Sequence, residues 1–293
     1  MGKWQNNLKG QRVLITGGAR GLGAALARAL TEHGARVALL GIEPDLLEKV
    51  AADCAAPWRE CDVTDAKAVE ACITELVEEL GGLDAVIANA GVAAQLPLIG
   101  GNPDVFLRTV DVNVIGVYNT IRAAGPHLCH ERGYALLVSS LAAAIHLPLL
   151  GAYSASKAAV EALGDALRAE LRPHGGAVGI AYFGELETEM TERGFGTRAA
   201  AELVKNMPML KVAPVAPAIR ALERGIAKRS RVIVSPRHVG PILHSRAITQ
   251  RIMEVVMRRN ALAAIEIARA ENAPLTTIQP ERPRKNRTGG TAS

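Results

Sequence analysis

Short apolar runs alternate along the chain with longer stretches in which apolar residues recur every three or four positions. The runs read RVLIT at 12–16, RVALL at 36–40, DAVIA at 84–88, YALLVS at 134–139, VGIAY at 178–182 and RVIVS at 231–235. Between them lie segments such as GAALARALTEHG, AKAVEACITELVEEL and AAVEALGDALRAEL, with the spacing of amphipathic helices. A weaker run, WREC at 58–61, brings the expected strands to about seven. Strands that are apolar throughout are covered on both faces, so the alternation predicts an α/β fold with a parallel sheet between two layers of helices. After residue 236 the strand signal stops. GPILHSRAITQRIMEVVMRRNALAAIEIARA then reads as amphipathic and helical, and the polar end as disordered. The expected division is therefore 1–236, a helical extension at 237–278, and a tail at 279–293.

Composition narrows the partners. Of the 293 residues, 49% are hydrophobic and 22% charged, enough for one sizeable core. Aromatic residues are only 3%, which gives no stacking platform for nucleic acid. The net charge of +5 is concentrated at one end, where Arg282, Arg284, Lys285 and Arg287 face only Glu281. That is a solvated tail rather than a basic patch. Cys54, Cys61, Cys72 and Cys129 form no C-x-x-C pair, and the first residues lack a charged segment followed by an apolar one, so a cytoplasmic setting is expected. Asn6 stands where a myristoylation signal carries Ser or Thr. The long apolar stretch at 135–152 is broken by Ser139, Ser140, His146 and Pro148 and is too interrupted to span a bilayer. HLCH at 127–130 has no distant ligand set and reads as a solvated helix face, not a metal site.

Two short stretches carry chemistry. ITGGARGLG follows the first predicted strand and opens the first helix, with Gly17, Gly21 and Gly23 spaced G-x-x-x-G-x-G. Glycines there let a pyrophosphate approach the backbone, and the free N–H groups and dipole of the helix start face the anion. YSASK at 153–157 puts Tyr153 and Lys157 on one helix face, where an ammonium favours the ionised form of a phenol. Asn113, inside an apolar helical stretch, is costly to bury without partners.

TGGARGLG, ANAG at 88–91, Asn113 in VDVNVIG, Ser139-Ser140 and YSASK occur in the order and spacing of the classical short-chain dehydrogenase/reductases, which the chain resembles from residue 12 to about 190. The resemblance implies a Rossmann-type doubly wound sheet and an NAD(P)-dependent oxidoreductase. Thr16, Gly17, Gly21, Leu22 and Gly23 would hold the dinucleotide phosphates and ribose, Asp62 and Val63 the adenine, and Asn89, Ala90 and Gly91 the wall beside the ribose. Asp65 is the alternative helix cap to Asp62. FGELET at 183–188 resembles the loop against the nicotinamide, with Gly184 and Thr188 in place and Phe183 where proline is usual. Tyr153 would exchange the proton and Lys157 would grip the ribose. Ser140 would hold the substrate oxygen, with Ser139 facing the sheet, and a water would link Asn113 to Lys157.

The family's carboxylate that selects NAD falls at Gly41, and Arg20 can pair a 2′-phosphate, so NADP is favoured over NAD, with Ile42 and Glu43 opposing that choice. Substrate walls are expected from 92–101, 141–152 and 184–212, including Met190, Phe195, Met207, Met209 and Leu210, with Gln95 and His146 as polar exceptions. Such walls suit a hydrophobic secondary alcohol or ketone. A dinucleotide-sensing or scaffolding protein, and a lyase or epimerase, are the competing readings. A homodimer or homotetramer is expected, ahead of membrane contact through Arg251, Arg258 and Arg259 of the C-terminal helix.

Overall fold

A computed structural model of the chain describes residues 4–205, 212–271, 273–277 and 279, without the side chains of 194 and 195. The elements run β1 (Arg12–Thr16), α1 (Gly21–Glu32), β2 (Arg36–Gly41), α2 (Pro44–Cys54), β3 (Trp58–Glu60), α3 (Ala66–Leu80) and β4 (Ala85–Ala88). They continue with α4 (Pro103–Val110), α5 (Gly116–Ala124), β5 (Tyr134–Val138), α6 (Gly151–Leu171) and β6 (Ala177–Phe183). The last are α7 (Glu189–Phe195), α8 (Arg198–Val204), α9 (Val215–Ala227), β7 (Val232–Ser235), α10 (Val239–His244) and α11 (Arg246–Glu271).

Seven parallel strands form one sheet in the order β3-β2-β1-β4-β5-β6-β7. Every expected strand is present, including WREC, whose Trp58 stands opposite Leu39 at the sheet edge. Alternate side chains of each strand feed two cores. Val13, Ile15, Val37, Leu39 and Ile87 pack with Leu26, Leu30 and Leu47 of α1 and α2 on one face. Leu14, Leu40 and Val86 pack with Ile73 and Leu76 of α3 and Val160 of α6 on the other. The winding reverses between β1 and β4, and the carboxyl ends of these two strands part there. In open parallel sheets that crevice is where ligands bind.

The helical C-terminal region divides after His244. α10 lies against β7 through Val239, while Met257, Ala264 and Ala268 of α11 pack on Ala199 and Leu203 of α8. Among the described residues no helix is long and apolar enough to cross a membrane. Met207, Met209, Leu210 and the basic tail lie outside the described residues.

Candidate active site

The glycine turn is built as its spacing predicts. Gly17 and Gly21 adopt φ of +68° and +53°, which disfavours any side chain. A Cβ on Gly17 would stand 2.9 Å from the Ala90 Cα, and one on Gly23 would strike the Gly17 carbonyl. Arg20 is extended at the N-cap of α1, and the first turn of that helix holds no acid, so its amides and dipole are open to an anion. A cavity of about 550 Å³ opens over this turn, and Gly17, Arg20, Gly21 and Leu22 line it. Asp62, Val63, Asn89, Ala90, Gly91, Gly184 and Thr188 line it as well, with the Thr188 Cβ 4.0 Å from where a Cβ on Gly21 would stand. The glycine cradle fits a dinucleotide pyrophosphate.

Thr16 and Gly23 are not among the residues that line this cavity. The Thr16 hydroxyl accepts the Asn89 and Ala90 amides at 3.1 Å each, and the Asn89 side chain donates to the Thr16 and Gly17 carbonyls at 3.0 and 3.2 Å. These bonds cross-link the loops after β1 and β4, so Thr16 shapes the crevice rather than facing it. Asp65 is the N-cap of α3, accepting the Lys67 and Ala68 amides, which leaves Asp62 for the cavity. Burial pushes the Asp62 carboxyl up, but bonds from Thr64 and Arg108 outweigh it and hold it below its usual value.

Arg20 is already engaged. Its guanidinium grips both oxygens of Glu43, one at 2.6 Å, and donates to Glu189 of α7 at 3.0 Å. Two carboxylates therefore meet the cation on which the NADP expectation rested. That pairing weakens the sequence argument for a 2′-phosphate.

Tyr153, Lys157 and Ser140 line the same cavity. Both α6 residues face one way as the i, i+4 spacing requires, with Lys157 Nζ 5.6 Å from the Tyr153 ring centroid. Lys157 is 4% exposed, and its ammonium donates to the Val138 carbonyl at 2.9 Å. Burial pulls its pKa down to about 8. The phenol departs from expectation: burial raises Tyr153 above its ordinary value, and hydrogen bonding with Ser140 recovers only part of the shift. Desolvation of the anion is the largest cause of that shift. Ser140 also accepts the Ala142 amide at 3.1 Å, while Ser139 turns away and donates to the Lys157 carbonyl at 2.9 Å.

Asn113 is fully buried in a π-helical turn, Asp111–Ile115, between α4 and α5. Its Oδ1 accepts the Val92 amide at 2.8 Å, and its Nδ2 donates to the Val92 carbonyl and the Ser156 hydroxyl at 2.9 Å. Ser156 donates in turn to the Tyr153 carbonyl at 2.7 Å. Asn113 thus ties the loop after β4 to the turn that carries Tyr153. It also nears Lys157 over Gly91, where a Cβ would lie 3.2 Å from Asn113 Oδ1 and 3.4 Å from Lys157 Nζ.

The walls beyond the reacting groups are mainly apolar: Leu141, Ile145, Leu149, Met190, Leu203 and Met253. Gln95 lines the cavity and accepts from Thr197 at 2.6 Å. His146, expected beside it, is exposed outside the wall, its backbone amide held by Gln250. Phe183 is buried at the end of β6, and its carbonyl accepts from Ser140 at 3.5 Å. Sequence reasoning missed Arg108, Glu185, Glu189 and a C-terminal strap. In that strap Thr276 exchanges hydrogen bonds with Ala93, and Gln279 accepts from Arg108 at 2.8 Å beside Asp62. Only the polarity of TTIQ at 276–279 hinted at it.

Comparison with known proteins gives a consistent result. The model of the family described as short chain dehydrogenase matches residues 11–205. Glycine betaine reductase ATRR of Emericella nidulans is 36% identical over 204 residues, which is 68% of this chain and 16% of that protein. Trans-4-hydroxycyclohexanecarboxylate dehydrogenase of Sinomonas cyclohexanicum is 31% identical over 62% of this chain and 76% of its own length. A crystal structure of a dehydrogenase/reductase from Sinorhizobium meliloti superposes with a TM-score of 0.71 at 27% identity, covering 79% of this chain and 96% of that one.

Proposed function

Because the chain belongs to the short-chain dehydrogenase family, we propose that it interconverts a hydrophobic secondary alcohol and its ketone with a nicotinamide dinucleotide, Tyr153 moving the proton. The observation that carries this reading is the convergence of Tyr153, Lys157 and Ser140 on the cavity that opens over the glycine turn. When bound, the nicotinamide ring supplies or accepts the hydride.

The chain's own groups do the rest. Ser140 donates to the substrate oxygen and sets it against the phenol, the orientation on which productive geometry depends. In ketone reduction the buried phenol, held protonated, gives its proton to the oxygen as negative charge develops there. In alcohol oxidation it takes that proton back. Lys157, beside the ring, offsets the phenolate that reduction leaves behind. Asn113 keeps the Tyr153 turn fixed through Ser156.

The pairing of Arg20 with Glu43 and Glu189 favours NAD over NADP, because a 2′-phosphate would meet both carboxylates while a ribose hydroxyl can donate to Glu43. The apolar walls favour a hydrophobic, alicyclic substrate, and the relative from Sinomonas, named for a hydroxycyclohexane acid, supports a ring alcohol. Leu107, Ile115 and Tyr118, exposed along α4 and α5, support self-association.

The test is a panel of alicyclic and steroid ketones with NADH and NADPH, following loss of the reduced ring, beside Tyr153→Phe. Wild-type consumption of NADH with apolar ketones, falling about 10³-fold in the variant while dinucleotide affinity holds, is the expected result. Dinucleotide binding with no turnover of any compound points instead to a sensing or scaffolding protein. Product formation without net consumption points to a lyase or epimerase.

A further inference from the structure

Six charged residues line the cavity: Arg20, Glu43, Asp62, Lys157, Glu185 and Glu189. Five have partners that account for their burial. Arg20 joins Glu43 and Glu189, Asp62 accepts from Arg108 and Thr64, and the Lys157 ammonium donates to Val138. Among the described residues the Glu185 carboxyl has neither a hydrogen bond nor an ion pair. It is half-buried, and burial raises it above the usual carboxylate range.

A half-buried carboxyl without a protein partner can take a hydrogen-bond donor from a ligand, and the backbone that carries it is held in place. The Gly184 amide donates to Ser235 at 3.0 Å. The Glu185 carbonyl accepts from Ala213 at 2.9 Å, and the Glu187 amide donates to the Ala213 carbonyl at 2.8 Å. Leu186 pairs with Ala213 in an isolated bridge. The backbone on either side of Glu185 is thus pinned. Along the segment, Phe183 touches Ser140 and Glu189 touches Arg20, so Glu185 lies nearer the reacting end than the phosphate end.

We propose that Glu185 determines substrate choice: it accepts a hydrogen bond from a hydroxyl or ammonium that the substrate carries apart from its reacting carbon, and it repels a carboxylate there. The inference rests on the oxidoreductase reading and sharpens its substrate class. The preferred compound is an apolar ring with one hydrogen-bond donor away from the carbonyl. A ring acid of the kind named for the Sinomonas relative is disfavoured in this chain.

Four cyclohexanones test it, bearing methyl, hydroxymethyl, aminomethyl or carboxylate at ring carbon 3 or 4. In the wild-type chain kcat/KM for the hydroxymethyl and aminomethyl compounds is expected to exceed that for the methyl compound about tenfold, with the carboxylate poorest. Glu185→Leu should erase both the preference and the carboxylate penalty. Glu185→Gln should keep part of the hydroxymethyl preference and lose the aminomethyl one. Unchanged ratios in Glu185→Leu overturn the proposal. So does a variant whose only change is its relative affinity for oxidised and reduced dinucleotide, because that assigns the carboxylate to the nicotinamide. If wild type turns over none of the four and none of the wider ketone panel, the oxidoreductase reading fails separately. Calorimetric titration of the same compounds into the dinucleotide-loaded chain then decides Glu185 by the same ratios.

Discussion

The two sides of the cavity are fastened by different physics. On the dinucleotide side, loops are joined by polar cross-links of fixed geometry: Thr16 with Asn89, Arg20 with Glu43, and Asp62 with Arg108. On the substrate side, α8 and α11 are held mainly by apolar contacts of Leu203, Met257, Ala264 and Ala268, with polar ties at Glu271 and Thr276. Hydrogen bonds specify angle and distance, which suits a pyrophosphate that must meet a glycine turn closely. Apolar packing specifies volume and tolerates exchange of side chains. On this division, exchanging side chains of the apolar wall is expected to leave the polar cross-links of the crevice in place.

Lys157 belongs to neither side and gives the largest expected effect. Its folded pKa lies below that of an unfolded lysine, so the native state binds this proton more weakly. Below about pH 8 the buried cation therefore weighs against the fold, and the penalty is relieved as pH rises toward the ordinary lysine range. Lys157→Met should lower kcat by roughly 10²–10⁴-fold, yet raise the free energy of unfolding at pH 7 by on the order of 1–3 kcal/mol. The wild type alone should gain stability between pH 8 and pH 10, roughly the span of the shift. A variant both inactive and less stable at pH 7 would show that the lysine holds the site together rather than straining it.

The sheet was legible because its strands are apolar on both faces, and apolar runs such as RVLIT and RVALL, set between helical patterns, mark where those strands fall. Tyr153 and Lys157 were legible because helical spacing places them together whatever surrounds them. Burial was not legible, and burial decides the direction in which the phenol shifts. Nor could the sequence separate a threonine that faces a ligand from one that cross-links loops, as Thr16 does. The partners of Arg20 and Asp62 lie far along the chain, and Thr276 meets Ala93 across 183 positions. Ion pairs and single bonds at such separations leave no period to detect. The π-helical turn at Asn113 is equally silent, since one added residue shifts a helix without changing its composition.

Glu43 sharpens the comparison from the dinucleotide side. Glu43→Gln removes one of the two carboxylates that engage Arg20 and leaves an amide of the same shape. The ratio of NADP to NAD affinity should rise about tenfold, a change of roughly 1.4 kcal/mol, as the guanidinium becomes available to a 2′-phosphate. Fluorescence titration of both dinucleotides measures it. A ratio that stays put means Glu189 alone suffices to hold the arginine, and the proposed NAD preference then loses the Arg20–Glu43 pair as its support.

Acid separates the two sides with the smallest effect. Glu271, at the end of α11, accepts the Arg198 and Ala199 amides and the Arg198 guanidinium at the start of α8. Desolvation pushes its carboxyl up, but these donors outweigh it and hold it below its usual value. A depressed carboxylate stabilises the fold above its unfolded pKa, and that support is lost as pH falls from the ordinary glutamate value through the lower folded one. Asp84 obeys the same sign, clamped by the backbone amide and guanidinium of Arg12 beneath β1 and β4, but it is 2% exposed and sits within the sheet. Acidification should therefore lower the protection factors of the Arg198 and Ala199 amides, taken relative to their intrinsic exchange rates at each pH, while β1 and β4 stay protected, because opening the α8–α11 corner exposes far less core than opening the sheet. In Glu271→Gln this local acid response should vanish, with exchange at those two amides already fast at neutral pH. If protection instead falls together in β1, β4 and α8, the substrate wall and the dinucleotide crevice open as one unit, and the mechanical independence drawn from their different fastenings does not hold.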